Sequence, residues 1–212
     1  MTWSPPRLYA ILDDDLVRAA GLEPAAVLDD WLEAGVRLVQ LRAKTRRLGP
    51  MLALAEDLGR RARAAGATFI VNDRADVARL AGAAGVHVGQ DDLPPADVRR
   101  LVGPDAIVGL STHNEAQWTA ACAEPITYLA VGPVFETRTK ARPDPVIGLA
   151  GVARAAERAR HAGLPLVAIG GITADRVPDV LAAGAASVAI AHALLENDAW
   201  LRFTNFVKRS QA

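Results

Sequence analysis

Eight short apolar runs recur along the chain, at residues 7–12 (RLYAIL), 38–43 (LVQLRA), 68–73 (TFIVND), 85–89 (GVHVG), 107–112 (IVGLST), 128–133 (YLAVGP), 166–171 (LVAIGG) and 187–191 (SVAIA). Several are nearly continuous, the pattern of strands covered on both faces. Between them lie segments rich in Ala, Leu, Arg and Glu whose apolar positions return every three or four residues, as on one side of a helix. Residues 51–66, 151–163 and 174–184 are the clearest examples. Several of these end in glycine just before the next run, a common helix C-terminal signal. Strand alternating with helix predicts parallel strands joined by right-handed crossovers.

Eight such units in 212 residues leave about 26 residues apiece, close to the lower limit for a closed barrel. An open doubly wound sheet usually has fewer strands and a glycine fingerprint after the first of them. Here the first run continues into Asp13, Asp14, Asp15 and Leu16, with no such fingerprint. The expectation is an α/β chain forming a single (βα)8 TIM barrel over residues 1–212, without linker or second domain.

Composition narrows the partners more than the fold. The chain is 51% hydrophobic and 23% charged, an ordinary globular balance, and is long enough to bury about 70% of its unfolded surface without disulfide staples. Its one cysteine, Cys122, excludes an intrachain disulfide framework or thiolate cluster, and lies in a helical stretch where it reads as a small core residue. With 24 basic and 24 acidic side chains there is no single-sign field to attract nucleic acid or an anionic membrane. No apolar run reaches the ~18 residues of a membrane span, and the N-terminus lacks a basic region followed by a long apolar one. The expected setting is cytoplasmic, with small-molecule partners and no nucleic acid or membrane. Whether the chain forms a homo-oligomer stays open.

In such barrels the loops after the strands build the active site, so the strand ends are the informative positions. Alternation along the second strand puts Gln40, Arg42 and Lys44 on one side. That row suits an anion; the plainer alternative is a surface salt-bridge row. The third strand ends in Asn72 and Asp73 and the fourth in Gly89, Gln90, Asp91 and Asp92. Asp73 and Asp92 thus approach from neighbouring strands. A carboxylate pair without histidine or cysteine suits Mg²⁺ completed by phosphate oxygens; the alternative is that these residues cap the following helices. Ser111, at the fifth strand end, can donate to an oxyanion, with Thr112 or Asn114 capping the next helix. Thr137, Thr139 and Lys140 follow the sixth strand. Gly170 and Gly171 after the seventh allow close backbone approach to a ligand. Residues 191–195 (AHALL) read as a helix N-terminus, which with the preceding loop forms the usual barrel phosphate site. Two anion sites result, one cationic and metal-assisted for a pyrophosphate, one of backbone amides for a monophosphate. No nucleophile with a base is evident: Ser111 and His113 are aimed apart, His87 reads as a satisfied core histidine, and His161 sits on a polar helix face.

Taken in order, Q-x-R-x-K at 40–44, N-D-R at 72–74, G-V-H-V-G-Q-D-D at 85–92, G-L-S-T-H at 109–113, G-P-V-F-x-T-x-T-K at 132–140, G-L at 148–149 and A-I-G-G-I at 168–172 resemble thiamine phosphate synthase. The resemblance covers nearly the whole chain. It implies a transferase of thiamine biosynthesis that joins hydroxymethylpyrimidine pyrophosphate to hydroxyethylthiazole phosphate, giving thiamine monophosphate and pyrophosphate. It assigns the segment Gln40, Leu41, Arg42, Ala43 and Lys44, with Asn72, to the pyrimidine pyrophosphate. Asp73 and Asp92 would carry one Mg²⁺ per subunit. Ser111 and Lys140 would meet the leaving pyrophosphate, and Arg42, Lys44, Ser111 and Lys140 form the catalytic set. Thr137, Thr139, Gly171 and the turn at Ala191–His192 would hold the thiazole phosphate, and Arg138 between the threonines is counted with the substrate-binding residues. Family members usually carry serine where this chain has His192. Three rivals are a thiazole tautomerase of the same superfamily, which has a catalytic histidine at the position of Pro133 and an altered G-Q-D-D segment, a barrel that binds phosphate ligands without catalysis, and an unrelated phosphosugar isomerase or epimerase on the same fold, which would need an acid and base pair not evident at the strand ends.

Overall fold

The strands form where the apolar runs lie, and their pairing closes on itself. The computed structural model describes residues 3–137 and 144–195. The strands are β1 (Leu8–Asp13), β2 (Leu38–Arg42), β3 (Thr68–Asn72), β4 (Gly85–Val88), β5 (Ile107–Thr112), β6 (Tyr128–Val131), β7 (Leu166–Ile169) and β8 (Ser187–Ile190). Each pairs in parallel with the next, and β8 pairs with β1, giving one closed (βα)8 barrel. Helices α1 (Asp14–Ala19) and α2 (Pro24–Glu33) both follow β1. Then α3 (Leu48–Ala64), α4 (Ala75–Leu80), α5 (Pro95–Val102), α6 (Glu115–Ala121), α7 (Gly148–His161) and α8 (Val177–Ala182) each follow one strand. Every strand begins and ends within two residues of the expected run. The segment after β8 differs: His192–Leu194 is a single 3-10 turn rather than the start of an α-helix.

Strand alternation divides the core in two. Outward side chains such as Leu12, Leu41, Val71, Val88, Leu129 and Val188 pack with the helices in the larger cluster. Inward ones, Tyr9, Ile11, Leu38, Ile70, Tyr128, Ala130, Val167 and Ala189, fill the barrel. A barrel of this size is a packed core and not a pore. Cys122 falls at the C-cap of α6, half-buried, and burial pushes its thiol up, as suits an inert packing residue.

Gly109 shows how tight the interior is. A Cβ there would lie 2.1 Å from Tyr128 Cζ, so the glycine makes room for the buried phenol ring. Gly109→Ala is expected to destabilise the barrel by about 1–3 kcal/mol through overpacking, read as a lower midpoint in urea unfolding at unchanged slope.

Candidate active site

The rim is built at the C-terminal ends of the strands. Asp13 ends β1 and is buried; its Oδ1 accepts from the backbone N–H of Asp15 (3.1 Å) and Leu16 (3.2 Å), capping α1. Its Oδ2 accepts from Arg42 Nη1. Asp13 therefore fixes the arginine predicted to hold an anion, a role the sequence reading missed. In β2 the side chains alternate as expected. Gln40 points into the barrel, where its Nε2 donates to Tyr9 Oη at 2.7 Å. Lys44, just beyond the strand, sets its Nζ 3.3 Å from Asp73 Oδ2. Leu41 and Ala43 are buried in the outer core, so they have no side chain to offer a ligand at the rim; only their backbone is left for that role.

Asp73 has φ 63°, the one non-glycine residue with positive φ among those described. Aspartate tolerates this left-handed geometry better than most residues, but at some cost. It is held there by Asp73 N donating to His87 O and Arg74 N donating to Asn72 O, both at 2.7 Å. The Asp92 carboxyl lies within hydrogen-bonding reach of Asp73, and its Oδ2 accepts from Gly89 N at 2.7 Å. Neither aspartate caps a helix: Arg74 and Pro94 occupy the cap positions of α4 and α5. Burial pushes the Asp73 carboxyl above its ordinary range, Asp92 adds to this, and the Lys44 charge offsets part of it. Two converging carboxylates under mutual repulsion are a fit for a hard divalent cation, which would remove that repulsion. Among the described residues no group of three or more His, Cys, Asp or Glu forms a fuller ligand set, so such an ion would need oxygens from elsewhere, as Mg²⁺ on a phosphate substrate has.

Ser111 stands at the end of β5, half-buried, and its histidine partner is His87 rather than His113. His87 Nε2 lies 2.8 Å from Ser111 Oγ, and its Nδ1 2.8 Å from Tyr128 Oη. The register explains this: His87 faces Gly109, two positions before Ser111 on the adjacent strand. His113 turns toward β6, with Nδ1 2.7 Å from Gly132 O and 3.5 Å from Asp144 Oδ2. Asn114 caps α6, accepting from Gln117 N at 3.0 Å, while Thr112 Oγ1 donates to Ala130 O. His87 is thus the satisfied core histidine expected, with tyrosine and serine among its partners.

On the opposite side, Gly170 (φ 103°) and Gly171 (φ 64°) do allow close approach, but what approaches them is the protein's own chain. A Cβ on Gly171 would meet Glu136 O at 2.3 Å, and one on Gly170 would meet Pro133 Cα at 2.6 Å. Val134 N donates to Ile169 O (3.0 Å) and Phe135 N to Gly170 O (2.9 Å), so β7 anchors the segment leading to Thr137. Arg176, not singled out from the sequence, stacks over Phe135 at 4.4 Å and donates to Gly171 O. Ala191 lies against the interior core and His192 is exposed beside it. Arg138, Thr139 and Lys140 lie outside the described residues.

Gln40, Arg42, Lys44, Asn72, Asp73, Asp92 and Ser111, spread over four consecutive strands and their loops, therefore share one rim. A shallow groove elsewhere, lined by Trp3, Pro5, Arg160, Leu164 and Gly184, contains none of them. Fold and rim together define a (βα)8-barrel enzyme whose working end presents cations and a carboxylate pair. The chain belongs to the thiamine monophosphate synthase family, whose family model matches residues 8–194, and it is a transferase. It is 45% identical over 195 residues to the thiamine-phosphate synthase of Koribacter versatilis, covering 90% of this chain and 89% of that protein. It is 46% identical over 203 residues to that of Mycolicibacterium paratuberculosis, covering 91% and 88%. The solved structure of the thiamine phosphate pyrophosphorylase from Pyrococcus furiosus superposes with a TM-score of 0.84 at 28% identity, covering 98% of both chains.

Proposed function

We propose that the chain is a thiamine-phosphate synthase joining hydroxymethylpyrimidine pyrophosphate to hydroxyethylthiazole phosphate. The observation that carries this reading is the meeting of Lys44, Asp73 and Asp92 on one rim, beside Arg42 and Ser111. In the reaction, the bond between the pyrimidine methylene carbon and the pyrophosphate oxygen breaks, and its electron pair leaves with pyrophosphate. The thiazole nitrogen lone pair then forms the new C–N bond, with no proton to remove. Catalysis of this kind needs stabilisation of departing negative charge more than it needs a base.

Arg42 and Lys44 would bind the pyrophosphate, Gln40 and Asn72 would orient the pyrimidine, and Ser111 would donate to the departing group. The segment Thr137, Arg138, Thr139 and Lys140 would supply hydroxyls and charge, with Lys140 on the leaving pyrophosphate. Gly171, Ala191 and His192 would hold the thiazole phosphate. Asp73 and Asp92 would hold one magnesium ion per subunit, which when bound would neutralise pyrophosphate charge. Purified protein mixed with both substrates and Mg²⁺ is expected to yield thiamine monophosphate, detected by fluorescence after oxidation. Absence of product under conditions where a relative makes it would defeat the reading; thiazole isomerisation instead would point to the tautomerase.

His192→Ser is expected to hold or lower the KM for thiazole phosphate, because the backbone amide stays and bulk is removed. A rise of tenfold, about 1.4 kcal/mol, would show that the imidazole is itself a phosphate ligand.

A further inference from the structure

The inward polar groups of the barrel form one connected path. Gln40 Nε2 donates to Tyr9 Oη (2.7 Å), Tyr9 Oη meets Tyr128 Oη (3.1 Å), Tyr128 Oη meets His87 Nδ1 (2.8 Å), and His87 Nε2 meets Ser111 Oγ (2.8 Å). It joins β2, β1, β6, β4 and β5. We propose that this path is a hydrogen-bond chain of fixed polarity running from Gln40 to Ser111, and that it leaves Ser111 as a donor toward the departing pyrophosphate. Tyr9, Tyr128 and His87 are then positioning residues for the transfer. The inference rests on the proposed role of Ser111 but makes a separate structural claim.

Donor accounting fixes the direction. Each phenol has one proton and, with burial pushing both far above the ordinary tyrosine value, keeps it. Tyr9 Oη accepts from Gln40, so its own proton needs an acceptor, and Tyr128 Oη is its other partner in the barrel. Tyr128 then donates onward to His87 Nδ1, which must be unprotonated. The imidazole proton sits on Nε2 and goes to Ser111 Oγ, whose own O–H is left to point elsewhere. With the Gln40 carboxamide oriented as it is, the reverse direction would leave the Tyr9 proton buried without an acceptor, costing about 1–3 kcal/mol.

Gln40 is the selector. Turning its carboxamide end for end would put Oε1 on Tyr9 Oη and allow every bond to reverse, ending with Ser111 donating to His87. The residue proposed to orient the pyrimidine therefore also sets what Ser111 can do. A pyrimidine that bound only the turned carboxamide would find Ser111 aimed away from the leaving group.

The test is the tautomer of His87 in the ligand-free, full-length protein labelled with ¹⁵N-histidine, read by long-range ¹H–¹⁵N correlation and assigned against His87→Gln. The wild type is expected to carry the proton on Nε2; a proton on Nδ1, or on both nitrogens, overturns the proposal. Gln40→Glu, whose carboxylate can only accept from Tyr9, is expected to move the proton to Nδ1; an unmoved proton overturns the selector role. Tyr128→Phe is expected to lower kcat about tenfold with both KM values within about twofold, the loss of one oriented hydrogen bond in the transition state. An unchanged kcat overturns the link to Ser111. A wild type that carries the Nε2 proton but makes no thiamine monophosphate would sink the proposed function and leave the polarity intact.

Discussion

Asp73→Ala combined with Asp92→Ala is expected to lower turnover by more than about a hundredfold, the scale of a lost metal-borne charge stabilisation, while leaving the barrel folded. Neither side chain caps a helix or supports the core. Circular dichroism and thermal unfolding check the fold; turnover against Mg²⁺ concentration checks the function. Activity retained by the double variant would rule out the metal assignment. The Asp73→Asn variant adds a test with a definite sign. The folded-state carboxyl is raised above its unfolded value, so its stabilising contribution is present below the ordinary aspartate range and is lost as pH rises through the raised value. At neutral pH, without divalent metal, the ionised group therefore works against folding. Asparagine also accepts the left-handed backbone. Asp73→Asn should then unfold at the same or a higher temperature than wild type at pH 7, an advantage that fades as pH falls toward 4. Adding Mg²⁺ with pyrophosphate should raise the unfolding temperature of wild type more than that of the variant.

Arg42→Ala is expected to damage both stability and catalysis, and the two can be separated. The Asp13 carboxyl is 2% exposed, so removing its arginine leaves a buried charge with only two backbone donors. Breaking such a pair costs about 3–5 kcal/mol when nothing else compensates; the α1 N–H groups reduce this to about 2 kcal/mol, roughly 4–8 °C in a chain this long. Asparagine caps helices as well as aspartate does. Asp13→Asn with Arg42→Ala should therefore recover most of the unfolding temperature while the KM for the pyrimidine pyrophosphate stays elevated tenfold or more, the loss of at least one charge-assisted hydrogen bond. If KM recovered along with stability, Arg42 would be a structural residue and not an anion ligand.

The strands and the rim were legible in the sequence because they rest on local signals. Strands buried on both faces write themselves as apolar runs, and alternation put Gln40, Arg42 and Lys44 on one side, which the structure shows for Gln40 to be the inward one. The approach of Asp73 and Asp92 was legible because β3 and β4 are neighbours in sequence and in space. The barrel interior was not. Tyr9 and Tyr128 are 119 positions apart, and only closure of the sheet brings them together. His87 could be read as satisfied, but its partners depend on the stagger between β4 and β5, which carries no local mark. Asp13 served only as a sign that no glycine fingerprint was present, since its pairing with Arg42 depends on β1–β2 register. The second helix after β1 was not distinguished either, because a thirteen-residue apolar pattern at 24–36 reads as well for one crossover helix as for part of two.

The seam between Gly170–Gly171 and the Pro133–Glu136 backbone bears on how this rim can vary among relatives. A larger residue at 171 has no room unless Phe135 and Glu136 move, and Phe135 also carries the stacked Arg176 guanidinium. Substitution at any of these positions should thus be accompanied by change at the others, so that this side of the rim drifts in blocks, not residue by residue.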